Sequence, residues 1–375
     1  MSLFWPQDPT QVDLSQPRLH AFVIGVGDYP HLMGGQGAPA VANFGLQQLT
    51  TTTITAERIT NWLCDMYSRP GCDLGSVELL LSPAATIARP DGTQASIDAP
   101  TMPNIKRAFL DWYRRCDGHQ DSVALFYFAG HGISTASLYL LAADFGDPNA
   151  PDLWDSCLDF DGMRVGMRKA KADTQVFFVD ACREKPIDAL IQLNPHGIPL
   201  VSSSITDTVQ ASAAYYAAAD GRLAYGPATD ATFFSTAVLD ALNGAGASNP
   251  TGTWVVDTYS LANAMGKIMR SLARSTNLPL SCNPDPDGLP APLHHPPSGF
   301  VRTAIGCRSA QAAQEMSLEL RRQGTTHSSK AGDPRPWIGK VAPGDWDIEL
   351  SFATLPAVSR KETLMPPTYD YEAGV

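Results

Sequence analysis

Apolar and polar residues along most of the chain form two kinds of segment: short apolar runs and longer segments with apolar residues at helical spacing. The apolar runs predict β-strands covered on both faces, and the longer segments predict amphipathic helices. The predicted strands are His20–Tyr29, Ser76–Ser82, Asp121–Gly132, Val176–Val179 and Ala213–Ala219, and the predicted helices are Thr55–Tyr67, Met102–Cys116, Asp161–Ala172 and Thr232–Gly244. This alternation predicts an α/β fold with a mainly parallel, doubly wound sheet.

The pattern changes after residue 281. The segment "CNPDPDGLPAPLHHPPSG", Cys282–Gly299, is dense in proline and glycine, which predicts a linker with His294 and His295 solvated rather than bound to a metal. Beyond it, Gly344–Pro356 alternates apolar and polar residues like a half-exposed antiparallel strand. We therefore predict one large domain over 1–281, a linker over 282–299, and a small β-rich C-terminal module with an extended tail over 300–375.

Two of the predicted strands end in reactive side chains. The run "FYFAGHG" places His131 just past one strand, and "FFVDAC" places Cys182 just past another. Neighbouring parallel strands lie about 4.8 Å apart, so both side chains can reach one substrate carbonyl. A thiolate nucleophile with a nearby histidine is the minimum equipment of a cysteine hydrolase. The backbone amides of Gly132 and Cys182 are the predicted oxyanion hole.

Composition narrows the range of partners. The formal net charge of −11 argues against a general nucleic-acid or anionic-membrane surface. The seven cysteines are scattered without a CxxC pair or zinc-ligand spacing, which indicates reduced thiols and no metal site. The N-terminus lacks the pattern of a signal peptide, and no apolar run approaches about 18 residues. We expect a cytoplasmic protein with no cofactor, no nucleic-acid partner and no membrane partner.

The motifs "FYFAGHG" and "VFFVDAC", in this order and each at the end of an apolar strand, resemble those of the caspase-like cysteine peptidases, closest in style to bacterial caspase homologues and metacaspases. The resemblance extends over about Leu19 to Asn243. It implies a doubly wound α/β sandwich and a cysteine-type endopeptidase with a catalytic dyad of His131 and Cys182, acting on protein substrates. By family analogy alone, it also suggests an effector in bacterial antiviral defence or cell death.

The same resemblance implies the specificity of the S1 pocket. Caspases, which cut after Asp, carry Gln two residues before the nucleophile, whereas metacaspases carry Asp there and cut after Arg or Lys. This chain has Asp180 at that position, which predicts cleavage after Arg, then Lys, through a charge-assisted pair. Metacaspases add a second acidic residue from the segment after the first strand, but none occurs between Asp28 and Glu57. Asp220 is the predicted substitute.

Two other interpretations stay open at this point. One is a catalytically silent caspase-like scaffold that binds a partner, and the other is a caspase-fold peptidase with an acidic P1 preference. The segment Pro186–Gly221 contains neither Lys nor Arg, so a basic-specific enzyme cannot process itself between its two subunit regions. We therefore expect a single chain, or one switched by an activating or regulatory partner through the C-terminal module. Calcium activation, known in metacaspases, has no EF-hand-like loop to support it.

Overall fold

The computed structural model describes residues 2–183, 195–202, 209–218, 226–227 and 229–375. It divides into two compact units. The first comprises Met1–Thr236 with Ser281–Ala291, and the second comprises Ala237–Leu280 with Pro292–Val375. The predicted boundaries at residues 281 and 299 therefore differ from those of the compact units, because residues 237–280 group with the C-terminal part of the chain.

Within the described residues, the chain forms the following strands and α-helices. The strands are β1 Leu3–Trp5, β2 Arg18–Val26, β3 Asp73–Ser82, β4 Thr86–Ala88, β5 Gln94–Ser96, β6 Val123–Gly130, β7 Gly132–Ser134, β8 Leu138–Leu141, β9 Cys157–Asp159, β10 Thr174–Ala181, β11 Ala211–Tyr216, β12 Val256–Asp257, β13 Asn283–Gly288, β14 Pro292–His294, β15 Val301–Cys307, β16 Ser317–Arg322, β17 Thr325–Ser329, β18 Trp337–Val341, β19 Gly344–Ser351, β20 Val358–Leu364 and β21 Thr368–Ala373. The α-helices are α1 Thr52–Asp65, α2 Met102–Cys116, α3 Phe160–Met167, α4 Phe233–Asp240, α5 Thr258–Thr276 and α6 Ala310–Glu315.

A seven-stranded sheet forms the centre of the first unit, in the order β1-β3-β2-β6-β10-β11-β13. The five inner strands, β3 to β11 in that order, pair in parallel, whereas β1 and β13 are antiparallel edges. The inner strands are the apolar runs of the sequence, and all residues of β6 and β10 are buried. The predicted α/β fold with a mainly parallel sheet is confirmed.

Helices α1 and α2 cover opposite faces of this sheet. Phe22 of β2 packs in one core with Phe109 and Trp112 of α2. Three residues further along β2, a Cβ atom at Gly25 would lie 2.7 Å from the Cβ of Ala56 in α1. Residues an odd number apart on a strand point to opposite faces, so the sheet is covered on both sides, as doubly wound folds require.

Several helices differ from prediction: α1 is shifted towards the N-terminus, and α6 was not predicted. Helix α3 is shorter than predicted, and the predicted helix that closes at Gly244 consists of α4 followed by a π-helical turn over Ala241–Ala245. Gly244 adopts φ 131° in that turn, a conformation that favours glycine. Helix α5 is a further difference, because the sequence-based prediction contains no helix over Thr258–Thr276.

The predicted Pro-rich linker is wrong over β13, which is an antiparallel edge strand paired with β11. The Leu289 N–H donates to the Gln210 carbonyl at 2.9 Å, and alternation along the strand then turns the backbone nitrogens of Pro284 and Pro286 outward. Proline is tolerated there because the outer side of an edge strand needs no N–H donor. Two of the prolines of the segment, Pro284 and Pro286, therefore belong to an edge strand.

The second unit contains the predicted β-rich module. Its C-terminal strands form a three-stranded sheet, β18-β15-β21, and a four-stranded sheet, β17-β16-β19-β20. In β19 the side chains of Trp346, Ile348 and Leu350 are buried and the residues between them are exposed, which is the alternation seen in the sequence. These three residues share a core with Val301 and Ile305 of β15.

One residue expected to be solvated is buried instead. His294 is 2% exposed and lies in β14, opposite Val256 of β12. The prediction of a solvated His294 fails for the same reason as the linker prediction over β13. A proline-rich segment does not reveal from its own residues that it pairs with a distant strand.

Candidate active site

The carboxyl ends of β6 and β10 lie level with each other. Their parallel pairing sets Ala129 opposite Asp180 and Gly130 opposite Ala181. His131 and Cys182 are therefore each the next residue after a paired position, on strands about 4.8 Å apart. Both residues line one cavity of about 220 Å³, together with Asp180. The structure thus brings three of the predicted site residues to one place.

The segment Gln48–Thr52, which follows β2, forms another wall of this cavity. Metacaspases bring their second acidic residue from this part of the chain, and here the segment supplies an amide and hydroxyl groups. The other described residues of the lining are Gly130, Gly226, Pro227 and Thr232. Asp220, the predicted substitute for the second acidic residue, lies outside the described residues.

One hydrogen bond sets the tautomer of the buried His131 ring. Its Nε2 atom lies 2.7 Å from the carbonyl oxygen of Gln47. Because a carbonyl only accepts, Nε2 carries the proton and Nδ1 is left as the basic nitrogen. Burial lowers the pKa of His131, although the hydrogen bond to Gln47 acts in the opposite direction. The ring is therefore neutral near pH 7, with Nδ1 free to accept a proton.

Tyr29 holds the backbone of His131 in place. Its hydroxyl accepts a hydrogen bond from the His131 N–H at 2.9 Å, and the two ring centroids are 4.9 Å apart. The Gln48 side chain in turn accepts from the Tyr29 N–H at 2.7 Å and donates to the Tyr29 carbonyl at 2.9 Å. A Cβ atom at Gly130 would lie 2.9 Å from the Tyr29 hydroxyl, so glycine is required there by close approach.

Sequence reasoning missed the role of Tyr29. The only signal is its position at the end of the predicted strand His20–Tyr29, in "GVGDY", where a residue can reach the carboxyl edge of the sheet. The contact joins residues 102 positions apart in the chain. A pattern of single residues does not reveal such a contact.

Gly132 packs directly against Cys182. A Cβ atom at position 132 would lie 2.5 Å from the Cys182 carbonyl oxygen, which is closer than real side chains approach. Any larger residue would push the two backbone segments apart. The two predicted oxyanion-hole amides thus belong to segments in close contact, and their donation to a substrate oxygen stays a prediction.

The two carboxylate oxygens of Asp180 have different surroundings, although the residue as a whole is only 3% exposed. Oδ2 accepts hydrogen bonds from the Thr232 hydroxyl and, at 2.9 Å, from the Tyr127 hydroxyl. Oδ1 is buried without a hydrogen-bond partner among the described residues. Burial raises the pKa of Asp180 to about 6, while the hydroxyls of Thr232 and Tyr127 act to lower it. A buried acceptor without a donor is costly, so the site favours an incoming donor.

In the described parts of the chain, no group of three or more His, Cys, Asp or Glu side chains could hold a metal ion. The absence of a cofactor stays a prediction, and calcium activation has only the resemblance to metacaspases behind it. None of the helices that the structure describes is long and apolar enough to cross a membrane.

The chain matches one family model, and the proteins similar to it include the two described below. The family model described as "Caspase domain" matches residues 18–283. An uncharacterized protein, y4kE, from Sinorhizobium fredii is 32% identical over 213 residues, which are 56% of this chain and 61% of that protein. Among solved structures, caspase-1 from Spodoptera frugiperda matches with a TM-score of 0.40 and 14% identity, covering 74% of this chain and 89% of that one. The match with y4kE spans less than two thirds of that protein's length.

Proposed function

This chain belongs to the caspase-domain family, and from that premise we propose that it is a cysteine endopeptidase that cleaves proteins after Arg and, less readily, after Lys. Family membership confirms the predicted resemblance and places the domain among the cysteine-type endopeptidases. The proposal adds the residues that carry the reaction, the P1 preference and the substrate class.

The surroundings of Asp180 carry the proposal for a basic P1 residue. A carboxylate that shares a cavity with His131 and Cys182, and whose buried Oδ1 has no described partner, matches the needs of a cationic side chain. An acidic P1 side chain would instead meet a like charge in a desolvated pocket, which costs several kcal/mol. The Asp180 carboxylate therefore favours a basic over an acidic P1 residue.

The chemistry assigns one role to each group at the strand ends. The Cys182 sulfur, as thiolate, attacks the scissile carbonyl carbon, and the amides of Gly132 and Cys182 stabilise the resulting oxyanion. His131 takes up the thiol proton at Nδ1 and delivers it to the leaving amine, which gives an acyl-enzyme and a free amine. Water, deprotonated by the same nitrogen, then attacks the thioester and releases the acid product and the thiol.

The test is hydrolysis of a fluorogenic peptide library varied at P1, with Cys182→Ala and Asp180→Asn beside the wild type. We expect turnover after Arg and Lys that falls at least about 10³-fold in Cys182→Ala. Asp180→Asn should lower kcat/KM for Arg by about 10²- to 10³-fold, because it removes the charge that pairs with the guanidinium. The matched control is Asp173→Asn, which removes one negative charge at the other end of the same strand and should leave kcat/KM within about two-fold.

Turnover after Asp, or equal loss of activity in both asparagine variants, would contradict the proposal. Silence across the library would favour the catalytically silent scaffold. Intact-mass analysis of the same incubations should show no cut within residues 186–221, where the chain has neither Lys nor Arg. An activating partner bound through the C-terminal module, and an effector role in defence or cell death, complete the proposal on the strength of family analogy alone.

A further inference from the structure

The Asp180 carboxylate is held by two hydroxyl groups from distant parts of the chain. Tyr127 lies on β6, and Thr232 directly precedes α4. Both hydroxyls donate to the same oxygen, Oδ2. The other oxygen, Oδ1, is the one without a described partner. The asymmetry is thus produced by these two donors.

The hydrogen-bond network around Thr232 fixes the direction of its donation. Its oxygen accepts from the Ser235 N–H at 3.1 Å, and its own N–H donates to the Thr55 hydroxyl at 3.0 Å. The Thr232 hydroxyl also lies 3.0 Å from the Ser235 hydroxyl, but an ionised carboxylate only accepts, so the single Thr232 proton is directed to Oδ2 of Asp180. Tyr127 is fully buried and burial raises its pKa well above the usual value, so its hydroxyl keeps its proton at every working pH.

We propose that Tyr127 and Thr232 are positioning residues for P1 recognition: by donating jointly to Oδ2 they keep the Asp180 carboxylate ionised and leave Oδ1 as the acceptor for a P1 guanidinium or ammonium group. This inference rests on the proposed function. It adds two residues to which the sequence analysis gives no role, Tyr127 within the run "FYFAGHG" and Thr232 before α4, and both act on the P1 side chain through Asp180.

No described cation offsets the burial of this carboxylate. The titratable groups that contact Asp180 or share its cavity in the described structure are Tyr127, His131 and Cys182. Burial keeps the His131 ring neutral near pH 7, so it contributes no positive charge. The two hydroxyls are therefore what counteracts the desolvation that raises the pKa of Asp180. Their removal should make the carboxyl harder to ionise.

The experiment is the pH dependence of kcat/KM for an Arg substrate in Tyr127→Phe, Thr232→Val and the double variant. In the wild type we expect an acid limb with a midpoint near the Asp180 pKa of about 6. A hydrogen bond to a charged group is worth about 1.5 to 3 kcal/mol, so each lost hydroxyl should move that limb upward by about one pH unit or more. Above the shifted limb, kcat/KM should return to near the wild-type value.

Two further variants separate positioning from folding. Thr232→Ser keeps the donor and should restore the wild-type limb. Thr236→Val removes a hydroxyl that donates to the Thr232 carbonyl at 3.0 Å without touching Asp180, and it should leave the limb in place. If Tyr127→Phe and Thr232→Val lower activity equally at all pH values, or if Thr236→Val moves the limb as far as Thr232→Val does, the two residues are structural and the inference is wrong.

A second measurement does not depend on turnover. In Cys182→Ala, the carboxyl stretch of Asp180 can be titrated by infrared difference spectroscopy against Cys182→Ala with Asp180→Asn. The Asp180 midpoint should rise when Tyr127→Phe or Thr232→Val is added, and a midpoint that stays fixed would overturn the inference. If the Asp180 midpoint moves but the wild type does not cleave after Arg, the effect of the two hydroxyls on Asp180 stands and the proposed function is wrong.

Discussion

Strands β10 and β13 belong to the same sheet, and both carry aspartates, but the surroundings of these aspartates are opposite. In β10 every residue is buried, and Asp180 has only hydroxyl partners in the described structure. In β13 the chain is largely exposed, and two aspartates pair with arginines of α3 or its C-terminal end: Asp285 with Arg164 at 2.5 Å and Asp287 with Arg168 at 3.0 Å.

The comparison distinguishes charges that stabilise the fold, at β13, from a buried charge that the proposed function uses, at Asp180. An exposed ion pair contributes about 0 to 1 kcal/mol, because water already solvates both partners. A buried carboxylate without a cation is instead a cost to folding, and a substrate cation can relieve that cost on binding. The edge aspartates therefore attach a strand to a helix, whereas in the proposed function the Asp180 carboxylate binds a cationic P1 side chain. The proposed function thus predicts that activity and stability are opposed at Asp180.

The largest effect should come from placing proline in the central strand. Val176 of β10 pairs with Leu125 on one side and Ala213 on the other, so its N–H lies inside the sheet. Val176→Pro should lower the free energy of unfolding by more than about 3 kcal/mol, because it removes a ladder hydrogen bond. Urea unfolding followed by circular dichroism measures the loss, and an unchanged midpoint would refute it. The opposite exchange in β13, Pro286→Val, should cost less than about 1 kcal/mol.

An intermediate effect, of opposite sign, is expected for Asp180→Asn. The folded-state pKa of about 6 lies above the ordinary value of 3.8, so the wild type gains stability as the pH falls through 6 and carries the full cost above it. A shift of about two units corresponds to at most about 3 kcal/mol. Asp180→Asn should therefore be more stable than the wild type at pH 7.5, with a smaller difference at pH 5.

Thermal unfolding at the two pH values checks this expectation. Asp173→Asn is again the control, since its side chain is partly exposed and lies at the other end of the strand. A variant that is destabilised equally at pH 5 and pH 7.5 would mean that Asp180 is a structural residue without a stored charge cost. A stabilised variant that also loses cleavage after Arg would establish the conflict between folding and function.

The smallest effect is expected at the sheet edge. Arg164→Gln and Arg168→Gln each break one ion pair with β13, and each should change the free energy of unfolding by less than about 1 kcal/mol. The difference from the wild type should shrink further in 1 M NaCl, because salt screens exposed pairs. A loss above about 2 kcal/mol from either variant would show that the edge strand depends on these charges as strongly as the centre depends on its backbone ladder.

The central part of the fold could be predicted because its signals are local. The apolar runs that became β6 and β10 are readable from consecutive residues, and His131 and Cys182 stand directly after them. Helix α2 has the predicted bounds, Met102–Cys116, because its amphipathic spacing is complete within one segment. Because each reactive residue directly follows its strand, one short stretch of sequence reveals both.

The sequence alone determined a mainly parallel α/β sheet and two reactive residues at its carboxyl edge. Tertiary structure decided which positions face each other: the pairing of Gly130 with Ala181, the proline-rich strand β13 at the sheet edge, and the Tyr29 contact to His131. It also decided that Asp180 meets Tyr127 and Thr232, which lie 53 and 52 positions away in the chain. Contacts across such distances depend on strand order and register, and no local pattern of apolar and polar residues specifies either.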